Sequence, residues 1–168
     1  MLIRKELSVQ EANSTIYVHD DLLETFSFQY ERKSIKIELT PFYTFFDCFD
    51  GDAESEKYKI IFNGVLGCQM ITCEPWGQGD NRVLGIDFLY EKDNNPLRMT
   101  LLKNVQKAWS ENDLNNDFPG KTCMVARILM STGDQYVIAC QSIFYGKDNE
   151  RDSYYREEDK KSRPLRQG

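Results

Sequence analysis

Histidine is almost absent from this sequence: His19 is the only one. Metal centres that need two or three imidazoles from one chain are therefore excluded. Any Ser-His-Asp or Cys-His nucleophilic mechanism has to run through His19. It stands in Val18-His19-Asp20-Asp21, between an apolar stretch and an acidic pair. Two readings are open. His19 is a general base held by a carboxylate, or it is a strand-end histidine bonded to a backbone carbonyl or to Asp20. With no nucleophile motif beside it, the second fits better.

Other absences narrow the class further. No run of 18 apolar residues occurs, so no membrane-spanning helix is expected. Met1 to Gln10 carries Arg4, Lys5 and Glu6 and no apolar core of a secretory signal. The expectation is a cytoplasmic protein. Gly77-x-Gly79 lacks the spacing of a phosphate loop, and no G-x-S-x-G nucleophile elbow is present. Positive charge is in short supply: 21 Lys and Arg against 27 Asp and Glu give a net charge of −6. Nucleic acid is therefore not the expected partner.

Cysteine is present but unpaired in number: Cys48, Cys68, Cys73, Cys123 and Cys140. An odd count without a secretory signal predicts free thiols in a reducing compartment. The pair Cys68-x4-Cys73 has no second close pair to complete a zinc site, so no metal and no cofactor is expected. Cys123 and Cys140 lie in apolar surroundings, where a free cysteine behaves as a small hydrophobe.

What the chain does have is enough material for a core. It runs to 168 residues with 40% hydrophobic side chains, and a chain of this size buries about 70% of its unfolded surface. Thr15 to Val18 reads as a short β-like start. Phe26, Phe28 and Tyr30 then alternate with Thr25, Ser27 and Gln29. After the polar break Glu31 to Ser34, Ile35, Ile37 and Leu39 alternate in the same way. Period two on both sides of a short break predicts a β-hairpin with one wet face. Tyr58, Ile60 and Phe62 restart the pattern, and Asn63-Gly64 breaks it. Val83 to Tyr90 is the next predicted strand, with Leu84, Ile86, Phe88 and Tyr90 on one face.

Asn95-Pro96 changes the period. Asn95 is a helix cap, Pro96 suits the first helical position, and Leu97, Leu101, Leu102, Val105 and Trp109 follow at helical spacing. Thr122 to Met130, the turn Ser131 to Asp134 and Gln135 to Tyr145 form the last hairpin. Its unbroken apolarity predicts a central place, covered on both faces. From Lys147 onward the only aliphatic side chain is Leu165, and seven basic residues mix with six acidic ones. The remainder keeps 14 basic and 21 acidic residues.

These patterns predict an α+β fold: a mostly antiparallel sheet of about six or seven strands with one main amphipathic helix. Residues 1–146 form the single β-rich α+β domain, and residues 147–168 form a charged flexible tail.

The order of segments resembles small bacterial immunity-type proteins, encoded beside toxin genes, and uncharacterised β-rich relatives of them. The residues that carry it are His19-Asp20-Asp21-Leu22-Leu23, the hairpin through Phe28 and Ile37, Tyr58 to Val65, and Tyr136 to Ile143. The resemblance covers residues 18–144 in outline. It implies a non-enzymatic protein that neutralises a partner by covering its active site, and it carries over no catalytic residue.

The candidate interface is the acidic run Asp47, Asp50, Asp52, Glu54 and Glu56, with Trp76 in the neighbouring Gly-rich turn. Such a run speeds encounter with a basic protein, and an exposed loop Trp is a frequent anchor. A plain solvated loop, and a Trp folded back over the sheet edge, are the alternatives. Calcium is not expected, because the loop position that needs a bidentate Glu, counted from Asp47, is Tyr58. A β-rich accessory or structural protein is the second functional reading, and a hydrolase-type enzyme using His19 is the third.

Overall fold

The computed structural model describes residues 5–42, 57–72, 81–89, 95–111 and 123–147. Nine strands carry most of it: β1 (Lys5–Leu7), β2 (Asp21–Gln29), β3 (Ser34–Thr40), β4 (Tyr58–Asn63), β5 (Gly67–Ile71), β6 (Arg82–Leu89), β7 (Met124–Met130), β8 (Gln135–Cys140) and β9 (Ser142–Lys147). Two helices accompany them, α1 (Val9–Thr15) and α2 (Pro96–Glu111). All pairings are antiparallel, and the strand order is β1-β9-β4-β3-β2-β6-β7-β8-β5.

This corrects the α+β expectation. Among the described residues the fold is mostly β, with nine strands and two α-helices. Three strands beyond the expectation, β1, β5 and β9, produce the difference, and one local reading near the start of the chain changes as well. The predicted strand Gln135 to Tyr145 bends at Gln141 and becomes β8 and β9. The apolar residues after Gly64 form a separate strand, β5. The segment Thr15 to Val18, read as a β-like start, forms no strand: Thr15 ends α1, and Ile16 to Val18 are irregular. A capping box opens that helix, with Glu11 N–H donating to Ser8 Oγ at 3.3 Å and Ser8 N–H to Glu11 Oε2 at 3.0 Å. The signal Ser8-Val9-Gln10-Glu11 was in the sequence.

The row of nine closes on itself. β8 and β9 are separated only by Gln141, yet they stand eighth and second in the order. The row therefore curls until β4, β3, β2, β6, β7 and the arm β8–β9 form a ring of six neighbours. β4 and β5 bend together with that arm. Gln141 N–H donates to Asn63 O at 3.0 Å and Leu66 N–H to Ala139 O at 2.8 Å, so pairing continues past the corner. Gly64 sits at the bend with φ +59°. The backbone conformation favours glycine there, and a Cβ would also lie 2.3 Å from Gln141 Oε1, so the Gln141 side chain would have to move.

Alternation places Ile35, Ile37, Ile60, Phe62, Ile128 and Ile138 inside the ring, all fully buried. On β6 the register slips between Val83 and Gly85. The bulge puts Val83 inside with Ile86 and Phe88, and it leaves Leu84 exposed, against the single-face expectation. The apolarity of β7 and β8 has the predicted cause. Val125, Val137 and Ala139 face outward and are covered by Leu101 and Val105 of α2. Asn95 Oδ1 accepts from Leu97 N–H at 3.0 Å, which caps that helix as read. Gly67 lets α2 rest on the β5 backbone: a Cβ there would meet Val105 Cγ2 at 2.2 Å.

The weakest joint in the ring lies between β2 and β6. Only Asp21↔Val83 and Leu22↔Arg82 pair, because the strands are staggered. Further along β6, α1 supplies the missing partner. The Asn13 side-chain amide donates to Phe88 O at 2.8 Å, and its oxygen accepts from Phe88 N–H at 3.0 Å.

Candidate functional site

The interface residues expected from the sequence, Asp47, Asp50, Asp52, Glu54, Glu56 and Trp76, all lie outside the described residues, as does the tail from residue 148. The described residues build two contrasting ends of β2, and these carry the site chemistry.

At the start of β2, Asp21 is buried. Its Oδ2 accepts from the Tyr58 hydroxyl at 2.5 Å and its Oδ1 from the Phe42 N–H at 3.0 Å. Tyr58 packs against Tyr145 at 5.5 Å between ring centroids, and the Arg82 guanidinium lies 5.2 Å from the Phe42 ring centre. A buried carboxylate is costly unless its oxygens are occupied, and here both are. The cluster clasps the exit of β3 to the entry of β2. His19 stands just before it. Its Nδ1 lies 3.0 Å from Asp20 Oδ2, and 63% of its side chain is exposed. Asp20 has φ +62°, so the pair caps a turn at the surface. The Asp20 contact is common to both sequence readings of His19, and His19 lies in the bend before β2, not at the end of a strand.

The far end of β2 is different. Tyr136, Phe26, Phe28 and Tyr30 form a row of rings that runs from the core into solvent. Successive centroids are 4.8, 5.3 and 6.1 Å apart. Phe28 is 42% exposed and Tyr30 85% exposed. The row sits on the inner face of the ring because Phe26 pairs with Ile37 and Phe28 with Ile35. It emerges because β3 begins only at Ser34, so the wall opens at the hairpin tip. A short 3-10 turn, Tyr30–Arg32, closes that tip, and Lys33 follows with φ 48° and ψ 44°.

Opposite the tip, the chain leaves β4 through Gly64 and enters β5. Val65 N–H donates to Lys33 O at 2.7 Å, the last tie before β5 departs from β3. The gap is a cleft of about 330 Å³ lined by Phe28, Gln29, Tyr30, Lys33, Ser34, Ile35, Val65 and Cys68. Met70, 51% exposed, follows Cys68 on the same side of β5. Burial pushes the Cys68 thiol up to about 11, so it is neutral at physiological pH. Tyr136 is raised too, by burial first and then by the charges of Asp134 and Cys68. Cys140, deeper in the core, is pushed up by burial and by Cys123. Cys68, Cys123 and Cys140 are all unbridged.

The alternation of Phe26, Phe28 and Tyr30 was legible in the sequence, but not that the ring would open beside them. That depends on β5 turning away from β3, a tertiary event. Gly64 was the one local sign of it.

No family model matches the chain, and neither the curated proteins nor the solved structures yield a match. Among the described residues, no helix is long and apolar enough to cross a membrane. No group of three His, Cys, Asp or Glu side chains among them is placed to hold a metal ion.

Proposed function

We propose that this chain is a non-enzymatic binding protein that engages a partner protein through the open mouth of its β-ring. The observation that carries the reading is the exposure of Phe28 and Tyr30 in the lining of one cleft, with Met70 exposed on the same side of β5 as the lining residue Cys68. Scattered exposed hydrophobes need no explanation, but a cluster at the rim of a concave site marks contact surface. Tyr and Phe on a rigid hairpin bring large area at low entropic cost.

The immunity-type resemblance supports the same reading in a finer form: a bacterial cytoplasmic protein that neutralises a toxin by covering its active site. The net charge of −6 favours a basic partner. On this reading the carboxylates of the acidic run Asp47 to Glu56 speed encounter, while the aromatic mouth slows release.

The test is a comparative capture. Immobilised parent chain and a Tyr30→Ser, Met70→Ser double variant are exposed to lysate of the source cell. The proposal expects a defined protein retained by the parent and lost from the variant, and that protein to rebind in purified form. Equal retention of every species by both would refute the mouth as the contact surface.

A further inference from the structure

Lys33 is placed oddly in two respects. Among the described residues that line the mouth cleft it is the one charged side chain, a cation in a chain of net charge −6. It also holds a left-handed backbone conformation, φ 48° and ψ 44°, where glycine or asparagine is favoured and lysine is strained. A strained residue kept at a concave site points to a use for its side chain.

The rest of the lining fits one kind of guest. Phe28, Tyr30, Ile35 and Val65 form apolar walls, and Gln29 with Ser34 supplies a polar edge where the Ser34 hydroxyl donates to Gln29 Oε1 at 3.4 Å. The volume, about 330 Å³, falls at the lower end of small-molecule sites. The Cys68 wall is a neutral thiol at physiological pH, so no negative charge from it repels an anion.

We propose that the mouth cleft binds a small amphipathic carboxylate, with its apolar body against Phe28, Ile35 and Val65 and its carboxylate at the Lys33 ammonium. An ammonium beside a carboxylate at the edge of an apolar wall forms a charge-assisted bond that an uncharged analogue cannot make. The site goes beyond the partner-protein reading and is tested without any partner.

The probe is octanoate, titrated calorimetrically into the full chain, with 1-octanol as its uncharged counterpart. Octanoate is expected to bind about tenfold tighter than octanol, and the advantage shrinks as salt is added. Lys33→Gly relieves the backbone strain, so its melting temperature holds or rises, while the preference for octanoate disappears. Lys33→Arg restores it. Octanoate also slows alkylation of Cys68 by iodoacetamide, which places the guest in this cleft. The proposal is overturned by equal affinity for octanoate and octanol, by Lys33→Gly binding octanoate like the parent, or by Cys68 reacting at the same rate with octanoate bound.

Discussion

The two ends of β2 belong to the same strand and are built differently. At Asp21 every polar atom of the side chain is engaged, the surroundings are buried, and the neighbouring strands are tied together. At Phe28 and Tyr30 the rings climb out of the core, and the adjacent strand turns away to leave a cleft. On the proposed reading, stability and recognition are separated along one strand. The closed end resists change because both oxygens of the buried Asp21 side chain are engaged. The open end tolerates change because its side chains contribute little to the core.

Changes in the ring interior should cost most. Phe62 is fully buried among side chains from several strands. Phe62→Ala should lose about 3–5 kcal/mol in urea unfolding, from transfer and cavity terms together. A loss no larger than that of an exposed site would mean the ring is not packed as described. Gly67→Ala comes next. Its methyl would press on Val105 of α2, and about 1–3 kcal/mol should be lost. Restoring space with a Val105→Ala second change should recover part of it, and a double-mutant cycle reads the coupling.

Tyr58→Phe sharpens the contrast between the ends. It leaves Asp21 buried with only the Phe42 N–H, and a loss of about 1–3 kcal/mol is expected. A neutral result would show that the clasp is not a constraint on the fold.

The cysteines of the cleft and core give a pH test. Cys68 titrates near 9 when unfolded and near 11 when folded. Folding therefore favours its neutral thiol, and the raised Cys140 acts in the same direction. That stability is fully present below about pH 9 and is lost as pH rises through about 11. Cys68→Ala should flatten the alkaline fall in melting temperature between those values. An unchanged profile would mean that Cys68 is not buried as described.

The sequence made the separate pieces legible and not their closure. Strict alternation at Ile35, Ile37 and Leu39, and the Asn95-Pro96 start of α2, follow from local rules, and those elements stand as read. The Ser8 to Glu11 capping box is equally local, but the helix it opens has seven residues and buries only Val9 and Ala12, too little for an apolar stripe to mark it. The bend at Gln141 is different in kind. Nothing in the alternation of Tyr136, Ile138 and Cys140 announces that β8 and β9 will lie on opposite sides of a closed row, because the bend is set by Gly64 across the ladder. The cleft inherits that non-local origin. Its walls come from Phe28 to Ile35 on one side and from Val65 and Cys68 on the other, and only the corner brings them together.

The central claim is that the open mouth is for contact and not for the fold. Urea unfolding of the Tyr30→Ser, Met70→Ser double variant tests it most directly. The account predicts a stability within about 0.5 kcal/mol of the parent, as for ordinary surface changes. A loss of more than about 2 kcal/mol, the scale of a core truncation, would contradict it, because Tyr30 and Met70 would then be holding the ring together.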